Sequence, residues 1–422
     1  MTGQLKKAFS DKVDAGALYF AIVIAFFIAI LSASIIMLAA HYRNSYLKEI
    51  RFQRLMNNIE SGITISLLRA DATEPESEEL DLFGDQSDSV KISKNSWGLF
   101  ELVQLESSIS LDTLKRVFFA GHQSDTDGEV LCLSDEDRPI SVSGATRIVG
   151  NVRLPKSGIR KAYAEGKPFS GNEAVSGMIS DSGRSLDELN VDCLNSISSK
   201  FNYRIIGLQE LPRGPLKNAF SSSAKLYKLS GRGFIGYKLQ GNIEIHSDRV
   251  VRISAESVLE NIVVYAPSII VEEGFTGACQ LFARDSIIVG NGTVFNYPSV
   301  LGLIKSDTSS FQTKISLGKN VLFNGIIFSW EKKRSSPENI IEIDADSQIE
   351  GELYSKGMIK LSKDTHLFGR VSCHRFIMKT TSTLYENFLI DVEFNRKKLN
   401  RHYLSSGITA MKNPKKILKW LD

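Results

Sequence analysis

Residues 341–394 fall into three consecutive blocks of eighteen, IEIDADSQIEGELYSKGM, IKLSKDTHLFGRVSCHRF and IMKTTSTLYENFLIDVEF, each opening on isoleucine. A fixed period restricts a fold strongly, because equal lengths of chain must complete equal structural units. Counting the first residue as position 1, apolar residues stand at positions 1, 3, 9 and 13: Ile341, Ile343, Ile349, Leu353, then Ile359, Leu361, Leu367, Val371. The third block keeps Ile377, Tyr385 and Leu389, with Lys379 breaking the pattern. Residues 315–332 repeat it with Ile315, Leu317, Phe323 and Ile327, eight residues ahead of the next block. Further upstream come Val251, Ile253, Leu259 and Val263; Ile269, Val271, Gly277 and Leu281; and Ile287, Val289 and Phe295, with Val300 one place late and a ten-residue insertion after it. A weaker copy at 233–250 holds Ile235 and Ile245.

Alternation inside each block has period 2, which marks strands. Helical repeats need longer units, about 33–47 residues. The pattern therefore predicts a mainly β chain whose body is a parallel β-helix with about 18 residues per coil. Each coil adds one rung roughly 4.8 Å along the axis, so like positions stack. A two-sheet sandwich is the competing arrangement, but it need not hold a constant period. Block 140–157 carries Ile140, Val142, Ile148 and Val152 at the same four positions, so the first coil is expected there. Residues 158–232 then form an excursion with a helix near SLDELNVDCLNSISSKF that covers the open first rung. NPKKILKWLD is expected to form a helix capping the other end, with Ile417, Leu418, Trp420 and Leu421 against the last rung.

The coils resemble the bactofilins, the bacterial polymer-forming cytoskeletal family, best over IEGELYSKGMIKLSKDTHLFGRV. The resemblance covers about 341–394 well and 233–332 loosely. It implies a right-handed β-helix with a glycine-rich corner. Bactofilins generally lack an excursion as large as 158–232.

Ala15 to Ala40 reads AGALYFAIVIAFFIAILSASIIMLAA, twenty-six residues without a charge. A bilayer core needs about 20 apolar residues in a helix, so a single transmembrane helix is expected. A signal peptide would have a shorter apolar core, about 7–15 residues. Lys6, Lys7 and Lys12 precede it and Arg43, Lys48, Arg51 and Arg54 follow, which leaves orientation undecided or leaning to a cytoplasmic body. Ile50, Leu55, Met56, Ile59 and Ile63 continue at near-helical spacing, so the helix should run on and pack one side on the next domain. The start resembles type IV pilin-like proteins, especially minor pilins and pseudopilins, through its short basic leader, Gly16, apolar helix and amphipathic extension. That resemblance implies cleavage after Gly16, leaving Ala17 first. The class usually has Glu as fifth mature residue, where this chain has Ala21.

The expected organisation is a leader (1–14), a transmembrane helix (15–40), its extension (41–70), an acidic linker (71–89), a small membrane-proximal α/β module (90–139), the first coil (140–157), the excursion (158–232), the β-helix (233–394) and a basic tail (395–422). The linker bears eight acids and no base, and the tail eight bases and one acid. Such runs are ordinarily solvated, although the tail could meet anionic lipid or an acidic partner. A net charge of +3 does not imply a nucleic-acid partner. Cys132, Cys193, Cys279 and Cys373 show no paired spacing, leaving their disulfide state open.

Little reads as chemistry. Cys373, His374 and His366 come nearest to a metal set, but Cys373 and His374 alternate across a strand and should not chelate together. Asp346 and Asp364 share position 6 one rung apart, with Asp344 and Glu350 near. They could act as an acid–base pair, or serve as turn residues. VGNGTVF lacks the following helix that a phosphate loop requires. The leading expectation is a non-catalytic bacterial inner-membrane protein without cofactor or metal. It would be a minor component or assembly factor of an envelope filament or secretion system, with an extracytoplasmic β-helix. Its expected partners are the bilayer and envelope proteins meeting helix Ala17–Ile63, with oligomers possible. A membrane-anchored cytoplasmic bactofilin-like scaffold comes second, and a surface glycan-binding or glycan-cleaving β-helix third.

Overall fold

The computed structural model describes residues 15–68, 77–84, 86–125, 127–202, 207–231, 233–306, 310–380, 383–409 and 413–421. The expected leader and part of the acidic linker lie outside them. The chain is mainly β, with one long apolar helix at its start. It divides into two compact units: 1–62 with 79–91 and 106–114, and 63–78 with 92–105 and 115–422.

The helix α1 (Ala15–Leu68, 54 residues), which belongs to the smaller unit up to Gly62, would extend about 80 Å at 1.5 Å per residue. No charge or proline interrupts its first half, and side chains from Gly16 to Ile50 are exposed apart from half-buried Val23. The burial changes one turn later, where Leu55 and Ile59 are buried. Asp88, with a fully buried carboxylate, receives Arg54 Nε at 2.6 Å, Arg54 Nη2 at 3.2 Å and Asn58 Nδ2 at 2.9 Å. Spacing of four places Arg54 and Asn58 on one helix face, so one carboxylate holds two successive turns. The guanidinium also lies 5.0 Å from the Phe83 ring.

The strands Asp88–Trp97, Phe100–Ile109 and Asp112–Gln123 are neighbours in that order in one sheet. The α/β module expected at 90–139 is thus built of strands alone. NPKKILKWLD is not a helix either: Lys415–Trp420 is a strand pairing antiparallel with 118–122. The unfilled edge of that sheet outweighs the helical spacing of its apolar residues.

Most strands of the larger unit join one closed path, parallel in its described pairings apart from Thr365–Lys379 with Leu384–Glu386. The registers keep the eighteen-residue beat: Ile341 faces Ile359, Ile349 faces Leu367, Leu353 faces Val371, and Ile269 faces Ile287. The insertions leave the register intact, since Ile287 faces Ile315 and Ile315 faces Ile341. One apolar core holds Ile315, Leu317, Phe323, Ile327, Ile341, Ile343, Ile349, Leu353, Ile359, Leu361, Leu367, Val371 and Leu389.

Five expected placements change. Ile377 faces Lys360, while Phe376 faces Ile359 and Met378 faces Leu361 in the core; a register shift after Ser355 moves the strand by one residue, which flips the inward set. Separate shifts, after Glu260 and after Gly277, put Val264, not Val263, opposite Leu281, and Leu301, not Val300, opposite Leu281 and Ile327. Val263 and Val300 join a second cluster instead. Ile235 is 80% exposed and Phe234 fills its place, opposite Ile253. The fourth change concerns block 140–157, which does not begin the stack. Leu389 faces Val142, Phe394 faces Ile148 and Val371 faces Leu131, so this early segment extends the rungs that end the chain. Last, the predicted helix forms as α2 (Val191–Lys200), capped by Asn190, but it covers no open rung. Its Leu194 and Ile197 share the second cluster with Trp97, Phe119, Tyr265, Phe282 and Phe328, along the side of several rungs.

Candidate functional site

Two side-chain columns explain most of the conspicuous residues. At position 6 and the places stacked on it the chain turns a corner with positive φ: Gly274 (77°), Gly292 (61°), Asn320 (55°), Asp346 (59°), Asp364 (58°), Asp391 (52°) and Gly144 (62°). Glycine, asparagine and aspartate are the residues that tolerate this region. The shared position of Asp346 and Asp364 therefore has a backbone cause. Asp344 and Glu350, named with them as possible acid–base groups, are also committed locally: Asp344 accepts from Ala345 N (2.8 Å) and Ser362 Oγ (3.1 Å), and Glu350 accepts from Asn400 N (2.8 Å).

At position 11, Gly325, Gly351 and Gly369 have φ of 147°, 132° and 149°. They stack on one another and on Ser299. A Cβ at each would lie 1.9, 2.0 and 1.8 Å from the carbonyl oxygen of the preceding rung. Sequence reasoning passed over this column, although glycine recurring at a fixed offset in 315–332, 341–358 and 359–376 is visible in the chain. Gly277 has a different cause. It leaves a gap in the position-9 column, which the Phe275 ring fills, 5.6 Å from Phe295 and in line with Phe323.

The candidate metal set is dispersed. Cys373 lies in the core, His374 Nδ1 sits 2.8 Å from Ser134 Oγ, and His366 Nδ1 sits 3.3 Å from Glu393 Oε2. Among the described residues no three His, Cys, Asp or Glu side chains are placed to hold a metal. All four cysteines are free thiols. Burial pushes Cys132 and Cys193 up to about 11 and Cys279 up to about 12. Gly16, the expected cleavage position, and Ala17 lie in the first turn of α1, exposed. Three of the tail's bases are committed: Arg396 is buried with Nη2 on Asp125 O (2.9 Å), Lys398 meets Glu393 (2.9 Å) and Lys415 meets Glu101 (2.6 Å).

Charge networks tie the early segment to the late rungs. Arg153 bridges Glu129 and Asp187, and Arg370 reaches the same two acids at 3.4 and 2.8 Å. Glu136 binds Arg334 at 2.7 Å and Arg375 at 2.8 Å. The Arg153 hydrogen bond chiefly lowers Asp187, against a smaller effect of burial. Burial pushes Glu136 up, but hydrogen bonds from Arg375 and Arg334 outweigh it and leave it lowered. Groups lowered in the folded state stabilise above their unfolded values, and that contribution is lost as pH falls through the folded values. Loss of stability is thus expected to begin as pH drops below the ordinary 4.5 of Glu136 and 3.8 of Asp187. Denaturant titrations of the wild type and Glu136→Gln, from neutral pH downwards, check this. The variant should show the shallower acid slope, and equal slopes would remove Glu136 from the account.

No family model and no curated protein matches the sequence. Among solved structures it is similar to the competence-associated pilin ComZ from Thermus thermophilus, at 10% identity and a TM-score of 0.24, over 88% of this chain and 95% of that one.

Proposed function

We propose that this is a single-pass, pilin-like envelope protein whose body is a right-handed parallel β-helix, serving as a non-catalytic minor component or assembly factor of a surface filament or secretion machine. One observation carries the reading. The helix α1 is long and apolar enough to cross a membrane, and none of that apolar stretch is buried by the rest of the chain. Exposed Leu18, Phe20, Phe26, Phe27, Leu31 and Ile36 would cost about 1.5–3 kcal/mol each in water relative to burial. Lipid, or the helices of sister subunits, would cover them. The repeated eighteen-residue registers support the β-helix, and the right hand is the general rule for parallel crossovers. A membrane-anchored cytoplasmic scaffold of the bactofilin kind is the second reading, favoured by the register of 341–376.

Sidedness separates the two. Full-length protein is expressed in bacterial cells, spheroplasts are treated with protease, and the body is followed by antibody. Digestion in intact spheroplasts, with a mature chain starting at Ala17, is the expected result. A body protected until lysis overturns it in favour of the cytoplasmic scaffold.

A further inference from the structure

Residues 396–408 cross the outer face of the stack as a strap. Arg396, Tyr403, Leu404, Ser405, Ser406 and Ile408 are buried. Leu404–Ser405 pairs antiparallel with 122–123. Tyr403 Oη donates to Gly325 O (3.3 Å), Tyr297 Oη donates to Leu404 O (2.7 Å), and Asn190 N donates to Ile408 O (2.7 Å).

Under the strap stands one carboxyl group. Val300, Ile326, Glu352 and Arg370 form one outward column on successive rungs, so an acid follows two apolar residues. Glu352 is 4% exposed, and no donor among the described residues reaches its Oε1. Ser405 lies within hydrogen-bonding reach of it, but Ser405 Oγ gives its one proton to Ser406 O at 2.9 Å. Only lone pairs are left to face Glu352. Arg370 and Arg396 attract the group through space, yet Arg370 Nη2 meets Asp187 and Glu129, and Arg396 Nη2 meets Asp125 O. Arg396 Nε and Nη1 are buried without an acceptor among the described residues. Tyr297 and Tyr403, the titratable groups that face Glu352 from the rung and the strap, both donate to backbone carbonyls.

An ionised Glu352 is therefore desolvated without a donor, whereas a protonated one has a proton to give to Ser405 Oγ. Burial accordingly pushes the carboxyl group up, against the opposing effects of Ser405 and the two guanidiniums. We propose that Glu352 makes the strap 396–408 a pH-sensitive latch, held closed by the protonated carboxyl group and loosened when it ionises. A carboxyl group raised in the folded state lends stability that is fully present below its ordinary value, 4.5, and is lost as pH rises through the folded value. The sign is opposite to that of Glu136 and Asp187, whose contribution fails on the acid side of 4.5 and 3.8, so the two effects occupy different pH ranges. Opening would bare part of the second cluster, which Ile408 shares with Val300 and Ile326.

The test is amide hydrogen exchange of the full-length protein in detergent at about pH 5 and about pH 8, with rates referred to the intrinsic rate at each pH. Peptides covering 397–408 are expected to be several-fold better protected at the lower pH, while the rungs near Ile349 and Leu367 change little. Glu352→Gln, uncharged at both pH values and able to donate to Ser405 Oγ, should show the acid level of protection throughout. Glu352→Met, which continues the apolar column, is the companion and should also remove the pH dependence. Equal protection of the strap at the two pH values overturns the proposal, as does better protection at the higher one. So does a pH dependence that survives in both variants.

Discussion

Gly351→Ala is expected to destabilise the larger unit by about 2–6 kcal/mol. The methyl group would sit 2.0 Å from Gly325 O, and the residue would be held at a φ of 132°. Backbone strain there costs roughly 1–3 kcal/mol, and forcing rungs apart in a close-packed stack costs a similar amount. The neighbouring tail adds to the crowding, since Tyr403 Oη would lie 3.0 Å from the same methyl. Gly158 is the control. It also has positive φ, 70°, but a Cβ there meets nothing within 4 Å, so Gly158→Ala should show strain alone, about 1 kcal/mol. Denaturant unfolding of both variants in detergent measures the difference. Equal losses would mean that the glycine column is not set by contact between rungs.

Asp88→Ala is expected to cost the smaller unit about 3–5 kcal/mol. Removing one partner of a buried pair costs this much because the other is left uncompensated. Here Arg54 loses both of its contacts to Asp88, and Asn58 Nδ2 loses its acceptor at 2.9 Å. Arg54 is partly exposed and recovers some hydration, which favours the lower half of the range. Amide hydrogen exchange on helix residues 51–60 gives the local readout. Protection should fall there while the rungs near Ile349 and Leu367 keep theirs. Unchanged protection would show that the apolar contacts of Leu55 and Ile59 hold the helix without the clamp.

Two of the residues that suggested chemistry have a conformational cause. Asp346 and Asp364 align because a left-handed corner recurs every eighteen residues. That cause could be guessed from the sequence, since glycine or asparagine replaces aspartate at the same position in earlier blocks (Gly274, Gly292, Asn320). The buried pair Lys305 and Glu331, with Nζ and Oε2 3.9 Å apart, left no such trace. They are 26 residues apart in sequence, and they meet because they continue the parallel register that pairs Ile304 with Trp330.

By itself the sequence determined the repeat length, the strand character of each block and the apolar stretch of α1. These are local properties: alternation, spacing and charge act over a few residues and need no distant partner. Tertiary structure alone decided which rung follows which, where the inward set slips by one residue, and what the tail becomes. A column of stacked apolar residues can be continued by any segment with the same beat, so Leu131, Val142 and Ile148 serve the end of the stack as well as they could have served its beginning. A single bulge exchanges Ile377 for Phe376 at almost no local cost. The tail segment Lys415–Trp420 becomes a strand because an open sheet edge at 118–122 offers it backbone partners, and a helix there would leave that edge unpaired.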